Sequence, residues 1–193
     1  MTGNYLDFRG IDLLTGFSKA VGKVLVKNEL GGVSNGYELA FAGGDSGYSF
    51  GGNQLDLSSN TNKAKSVLVD ILTNARDLGG NLIFENGAQF YEENKQYLEA
   101  SGNADALSST KKSLINQALS SSYGKEKLNQ DFKNEVLDKI GDISNIINSL
   151  PDGNIKITLQ NSEELKTYLV DYHNQFKDTL NNPQIPHPTT KIS

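Results

Sequence analysis

Two acidic side chains, Glu29 and Asp45, bracket a glycine-rich stretch that runs on into Tyr48, Ser49, Gln54 and Asp56. Paired carboxyls of this kind suit glycoside cleavage, in which one protonates a leaving oxygen and the other orients a water on the opposite face of the sugar. Glu29 falls at the end of a predicted helix, where the negative end of the helix dipole and partial burial favour the protonated carboxyl of a general acid. Asp45, in a glycine turn, and Ser49 are expected to hold the water. Gln54, Asp56 and Tyr48 would offer hydrogen bonds and a stacking surface to a saccharide. Glu38 is the reserve acid, closer to Asp45 in sequence but on a predicted strand.

Two rival chemistries share the segment. Gly47-Tyr48-Ser49-Phe50-Gly51 spells G-x-S-x-G, which makes a serine nucleophile only on a strained strand-to-helix turn above a parallel sheet. Phe50-Gly51-Gly52-Asn53 opens a helix poorly, and no βαβ alternation surrounds it. Gly44-Asp45-Ser46 and His187-Pro188-Thr189 also resemble the first and last blocks of GDSL-type esterases, but Gln184 stands where that family has Asp. A phosphate-cradling loop would need a Lys after Gly at P-loop spacing or a G-x-G-x-x-G opening a helix, and neither is present. Tight hairpin turns account for the glycines more simply.

Composition narrows the field further. With no Cys, the 193-residue chain has no thiol nucleophile, disulfide framework or Cys-ligated metal. His173 and His187 are too far apart for a local metal motif, so no metal and no cofactor are expected. Lys and Arg number 18 against 23 Asp and Glu, a net charge of −5, which argues against nucleic-acid and anionic-membrane partners. The N-terminus lacks a basic region followed by an apolar one, and runs such as Val-Leu-Val fall far short of the roughly 18 residues of a membrane span.

The elements that must position these groups follow from periodicity. A helix is predicted from Asp12 to Glu29, with Leu14, Phe17, Val21, Val24 and Leu25 on one face, Asp12 or Thr15 as cap, and Gly31-Gly32 as stop. Tyr37, Leu39 and Phe41 alternate as in a half-buried strand, Gly43 to Gly47 turn, and Tyr48 to Phe50 extend again, giving a small antiparallel hairpin sheet near residues 37–56. Helices are predicted over 61–78 (Leu68, Ile71, Leu72, Ala75 and Leu78), 87–100, 110–121 and 125–150 (Leu128 to Ile147). Pro151-Asp152-Gly153 ends the last of these, Asn154 to Leu159 alternates as a short strand, and Ser162 caps a final helix. The expected fold class is α+β, mainly α. Residues 1–182 form one domain, with residues 1–11 peripheral, and 183–193 form an extended Pro-rich tail.

Helix-ending Glu29 followed by YELAFAGGDSGYSFGGNQLDL resembles the active-site segment of the lysozyme-like superfamily, in particular phage-type lysozymes and related muramidases. In that family a catalytic Glu ends the first long helix. A hairpin sheet follows with an Asp and a Thr, its second strand carrying T-x-G-x-G-H. Ser49-Phe50-Gly51-Gly52-Asn53-Gln54 occupies that place, and S-x-G-x-x-Q also resembles the hairpin of goose-type lysozymes and lytic transglycosylases. Ser49 replaces Thr, Gln54 replaces His, and the longer interval from Glu29 to Asp45 implies an insertion at Gly31 to Asn35. The likeness covers residues 12–57, with 60–182 as the helical lobe.

The resemblance implies Glu29, Asp45 and Ser49 as catalytic residues of a peptidoglycan hydrolase that cuts the β-1,4 bond between N-acetylmuramic acid and N-acetylglucosamine. Its partners would be glycan strands, with an immunity or secretion partner possible, and it would act in the periplasm or outside the cell after delivery by a route other than a signal peptide. An acidic cleft would suit a chitosanase-like glycosidase better. A non-catalytic lysozyme-fold module of a phage tail or secretion machine and a GDSL-type esterase complete the alternatives.

Overall fold

A computed structural model describes residues 8–31, 36–41, 46–59, 62–102 and 107–180, with side chains through Gln175. The protein is mainly helical, with one small three-stranded antiparallel sheet. It divides into two compact units, Met1–Val136 and Leu137–Ser193. Asp45 and the 183–193 tail lie outside the described residues.

The first described element of the first unit is a short 3-10 helix, Arg9–Leu13, followed by α1, Gly16–Leu30. Thr15 is the extended residue before α1, and its N–H donates to Ser18 Oγ at 3.3 Å. Asp12 belongs to the 3-10 turn instead of capping the helix. Leu14 and the α1 residues Val21, Leu25, Val26 and Leu30 are buried. Strands β1 (Ala40–Phe41), β2 (Tyr48–Phe50) and β3 (Leu55–Asp56) pair antiparallel in that order, with Ala40 opposite Ser49 and Ser49 opposite Asp56. Four helices follow: α2 (Asn62–Asn74), α3 (Gly87–Leu98), α4 (Ser109–Ser120) and α5 (Ser122–Ser149), the last running across the division between units.

Phe8 organises the start of this core. It is 2% exposed, and its ring lies 5.2 Å from Tyr37 and 5.2 Å edge-on from Phe132 of α5. A Cβ on Gly52 would come within 2.4 Å of that ring, and one on Gly36 within 2.6 Å. Two glycines that look like turn formers in the sequence therefore let backbone pack against an aromatic face. Residues 1–11, expected to be peripheral, thus contribute Phe8 and the buried Ile11 to the interior. The Tyr37 hydroxyl ties the same region together, accepting from Arg9 N–H at 2.8 Å and donating to Asn129 Oδ1 at 2.7 Å.

The predicted 61–78 helix ends early, at Asn74. Asp77 Oδ1 accepts from the N–H groups of Gly79 (2.8 Å) and Asn81 (2.9 Å), giving the chain a local alternative to the helical ladder. Arg76 and Leu82 then bridge as a minimal hairpin, and Leu78, expected on the core face, stands fully exposed at its tip.

In the second unit the remainder of α5 is followed by α6, Gly153–Asn161, and α7, Glu163–Leu180. The predicted strand over 154–159 is therefore a helix. Asp152 Oδ1 accepts from Asn154 N–H (2.8 Å) and Ile155 N–H (3.1 Å), satisfying donors that a helix start leaves open. An alternating segment without a neighbouring strand has nowhere to place its backbone hydrogen bonds, whereas a helix satisfies them internally. Ser162 caps α7 as expected, its Oγ accepting from Leu165 N–H at 3.1 Å. Among the described side chains of this unit, Ile143, Ile147 and Val170 are the buried apolar ones. Among the described residues no helix is long and apolar enough to cross a membrane.

Candidate functional site

β2 places Ser49 in the middle of the sheet, between β1 and β3. Its side chain is buried, at 6% exposure, and its hydroxyl donates to Gln54 Oε1 at 2.7 Å. Gln54 closes the turn between β2 and β3 with a left-handed backbone, φ 47°, and its Nε2 donates to the Gly51 carbonyl at 3.3 Å. The neighbouring Asn53 Nδ2 donates to Asp131 Oδ2 on α5 at 3.3 Å, and Lys63 of α2 lies 3.4 Å from Asp131 and 2.6 Å from Glu135. The turn is therefore fastened to α5 through Asp131, which it shares with Lys63 of α2.

Asp56 faces Ser49 across the β2–β3 ladder and is half-buried. Its Oδ1 accepts from Ser58 N–H (2.8 Å) and Ser58 Oγ (2.7 Å), so this carboxylate shapes the exit from β3. Tyr48 has no exposed surface. Its ring packs 4.9 Å from Phe41, Lys112 Nζ lies 5.4 Å from the ring centroid, and its hydroxyl accepts from Leu107 N–H at 3.4 Å. That corrects the stacking role expected of it: Tyr48 holds α4 and its approach to the sheet, and no face is open to a sugar. Glu29 stands half-buried in the last turn of α1, beside the buried Leu30. Glu38 is exposed, between the buried Tyr37 and Leu39.

Ser49 is not built as a serine nucleophile. An activated hydroxyl gives its proton to a base, whereas this one donates to a neutral amide. The sheet around it is antiparallel, and a turn and β3 follow β2 where a nucleophile elbow would have a helix. The strand-turn-helix frame that G-x-S-x-G requires is missing at this position.

Among the described residues, two further ionic clusters join helices of the first unit. Between α2 and α3, the Tyr91 hydroxyl donates to Glu99 Oε1 at 2.8 Å and Lys65 Nζ lies 2.9 Å from Glu99. Burial, then the Glu99 carboxylate, pushes the Tyr91 phenol well above its usual range. Burial also acts to raise Glu99, but Lys65 and the Tyr91 hydroxyl outweigh it and hold the carboxyl below the usual range. Asp70 is likewise lowered against the effect of burial, by Lys127 at 2.5 Å and the Tyr123 hydroxyl at 3.1 Å. Both carboxylates are ionised anchors, the opposite of what a proton donor needs.

Sequence reasoning overlooked a cleft of about 550 Å³ between the 3-10 helix and α1. Phe8, Ile11 and Val24 give it apolar walls, and Arg9, Asp12, Lys19, Lys23 and Lys27 line the rest. The signal was present as Lys19, Lys23 and Lys27, spaced by four on a helix whose opposite face buries Val21 and Leu25. Neither this cleft nor the one beside Tyr91 and Glu99 is lined by Glu29, Ser49, Gln54 or Asp56.

No protein family, curated protein or solved structure matches this chain.

Proposed function

We propose that the protein is a lysozyme-like glycoside hydrolase of peptidoglycan, cutting between N-acetylmuramic acid and N-acetylglucosamine. The observation that carries this reading is the order of parts. A helix whose last turn holds Glu29 precedes a three-stranded antiparallel sheet, in which Ser49 bonds Gln54 and faces Asp56, and a helical body follows. In this reading Glu29 protonates the leaving oxygen and Asp45 orients the attacking water. Ser49, Gln54 and Asp56 are positioning residues that fix the hairpin. The bond between Ser49 and Gln54 joins two neutral groups, so it holds its geometry across the pH range in which a general acid titrates.

Turbidity clearing of purified cell walls is the test. Glu29→Gln should lower the clearing rate by about 10²-fold or more, the usual effect of losing a general acid, with an unchanged far-ultraviolet circular dichroism spectrum. Glu38→Gln should leave the rate within about threefold of the parent. If the two results exchange, Glu38 is the acid. If neither variant nor parent clears walls, the reading is overturned. Mass spectrometry of the digest separates reducing-end muropeptides, expected here, from the anhydro ends of a transglycosylase. Inversion should release the α-anomer first, with the Glu29 and Asp45 carboxyls about 6.5–9.5 Å apart.

A further inference from the structure

The cleft beside α1 carries four cations, Arg9, Lys19, Lys23 and Lys27, against one carboxylate, Asp12, in a chain whose net charge is −5. Asp12 is shared between Arg9 and Lys19, each 3.6 Å away, and is itself 56% exposed, so it neutralises neither fully. Among the described residues Lys23 and Lys27 have no carboxylate within ion-pair distance, although the chain has 23 acidic residues. Among the described residues, Lys23 and Lys27 with the part-neutralised Lys19 make a row of cations along an apolar-walled recess, a surface shaped for an anion with an apolar part.

The spacing chooses among anions. Lys19, Lys23 and Lys27 follow one another at four-residue intervals, a rise of about 6 Å each along the helix. Alternate side chains of an extended peptide are about 6.7 Å apart on one face, close to that step. A single phosphate or sulfate would need convergent donors, commonly backbone N–H groups at a helix N-terminus; the first residues of α1, Gly16 to Ser18, do not line the cleft. Single-stranded nucleic acid would need aromatic faces on which bases stack, and the one aromatic residue here, Phe8, is 2% exposed. We propose that this cleft binds an extended acidic peptide segment, with carboxylates at alternate positions along Lys19, Lys23 and Lys27 and a small apolar side chain against Ile11 and Val24. The inference stands apart from the glycosidase reading and survives its failure.

The test is fluorescence anisotropy on the full chain with three labelled probes: the peptide Glu-Val-Glu-Val-Glu, its isostere Gln-Val-Gln-Val-Gln, and a short oligothymidylate. The acidic peptide should bind saturably and lose affinity as salt is added, and the isostere should not bind. Lys23→Gln with Lys27→Gln should weaken binding about tenfold, near threefold for each exposed pair. Lys133→Gln with Lys156→Gln, which changes net charge equally at other positions, should leave affinity within about twofold. Absence of binding, equal losses in the two double variants, binding of the isostere, or tighter binding of oligothymidylate would each overturn the proposal. A circular dichroism spectrum matching the parent's is required of every variant, and if the lysine pair unfolds the chain, Lys23→Gln alone should still weaken binding about threefold.

Discussion

Ser49→Ala separates a hydroxyl that holds a hairpin from one that does chemistry. The hydroxyl is buried and donates to Gln54 Oε1 at 2.7 Å, and nothing else changes on replacing it by hydrogen, so the cavity left is smaller than a water. Losing one intramolecular hydrogen bond costs about 1 kcal/mol, and the half-buried Gln54 carbonyl adds little if solvent reaches it. For a unit of this size that corresponds to a fall in melting temperature of about 3–5 °C. Gln54→Gly removes the same bond from the other side but also relieves a non-glycine residue at φ 47°, worth about 1 kcal/mol in the opposite sense. It also loses the Nε2 bond to the Gly51 carbonyl and leaves the buried Ser49 hydroxyl without its acceptor, a cost of about 1–3 kcal/mol, so its net effect should be a destabilisation of about 1–2 kcal/mol. The double variant should be no less stable than Gln54→Gly alone, because it removes a buried donor that the glycine has left without its acceptor. Urea denaturation of the four proteins measures this cycle directly. If Ser49→Ala is as stable as the parent, the bond contributes nothing. A fluorophosphonate probe that labels Ser49 would refute the structural role outright and restore the nucleophile.

Three further outcomes follow from packing and charge. A Cβ on Gly87 would lie 2.2 Å from the Leu72 carbonyl carbon, where α3 starts against α2, so Gly87→Ala should destabilise by about 1–3 kcal/mol in urea. Leu78→Lys should fall within about 0.5 kcal/mol of the parent in the same assay, since the side chain is fully exposed at the Asp77–Asn81 turn. Glu99 has a lowered folded-state pKa, so its contribution is complete above its unfolded value, near 4, and is lost as pH falls through the lower folded one. Glu99→Gln should flatten the acid limb of stability against pH, measured by urea denaturation at steps down to about pH 3.

The helices were legible where one apolar stripe decided the matter. Leu128, Phe132, Val136, Ile143 and Ile147 are buried as their spacing predicts, Ile140 of the same stripe is half-buried, and α3, α4 and α5 begin and end close to the expected residues. Two of the failures are places where a short polar side chain competed with the stripe, and on α7 Leu165, Tyr168 and Tyr172 of the predicted apolar face are exposed. Asp77 diverted the chain from α2 into a turn, and Asp152 started a helix where alternation suggested a strand. In both, a carboxylate captured two backbone N–H groups within four residues, a local event that hydrophobic periodicity does not register. Phe8 was missed for a different reason: its burial depends on Gly36, Gly52 and Phe132, the last of them 124 positions further along the chain.

The same division runs through the candidate site. The Ser49–Gln54 bond spans five residues, so a turn of that length could bring the two together on local grounds. Tyr48 belongs to the same strand, yet its fate is set by Leu107, 59 residues on, and by Lys112 of α4. Alternation predicts which face of a strand a side chain takes, but whether that face meets a ligand or a helix is decided by whatever folds over it. Tyr48 met a helix. The lysine row on α1 is the converse case: its spacing is plain in the sequence, and only the 3-10 turn that carries Phe8 and Ile11 beside it makes a concave surface of an ordinary solvated face. Residue types set the chemistry available to each segment, and the long-range contact decides whether that chemistry faces a ligand.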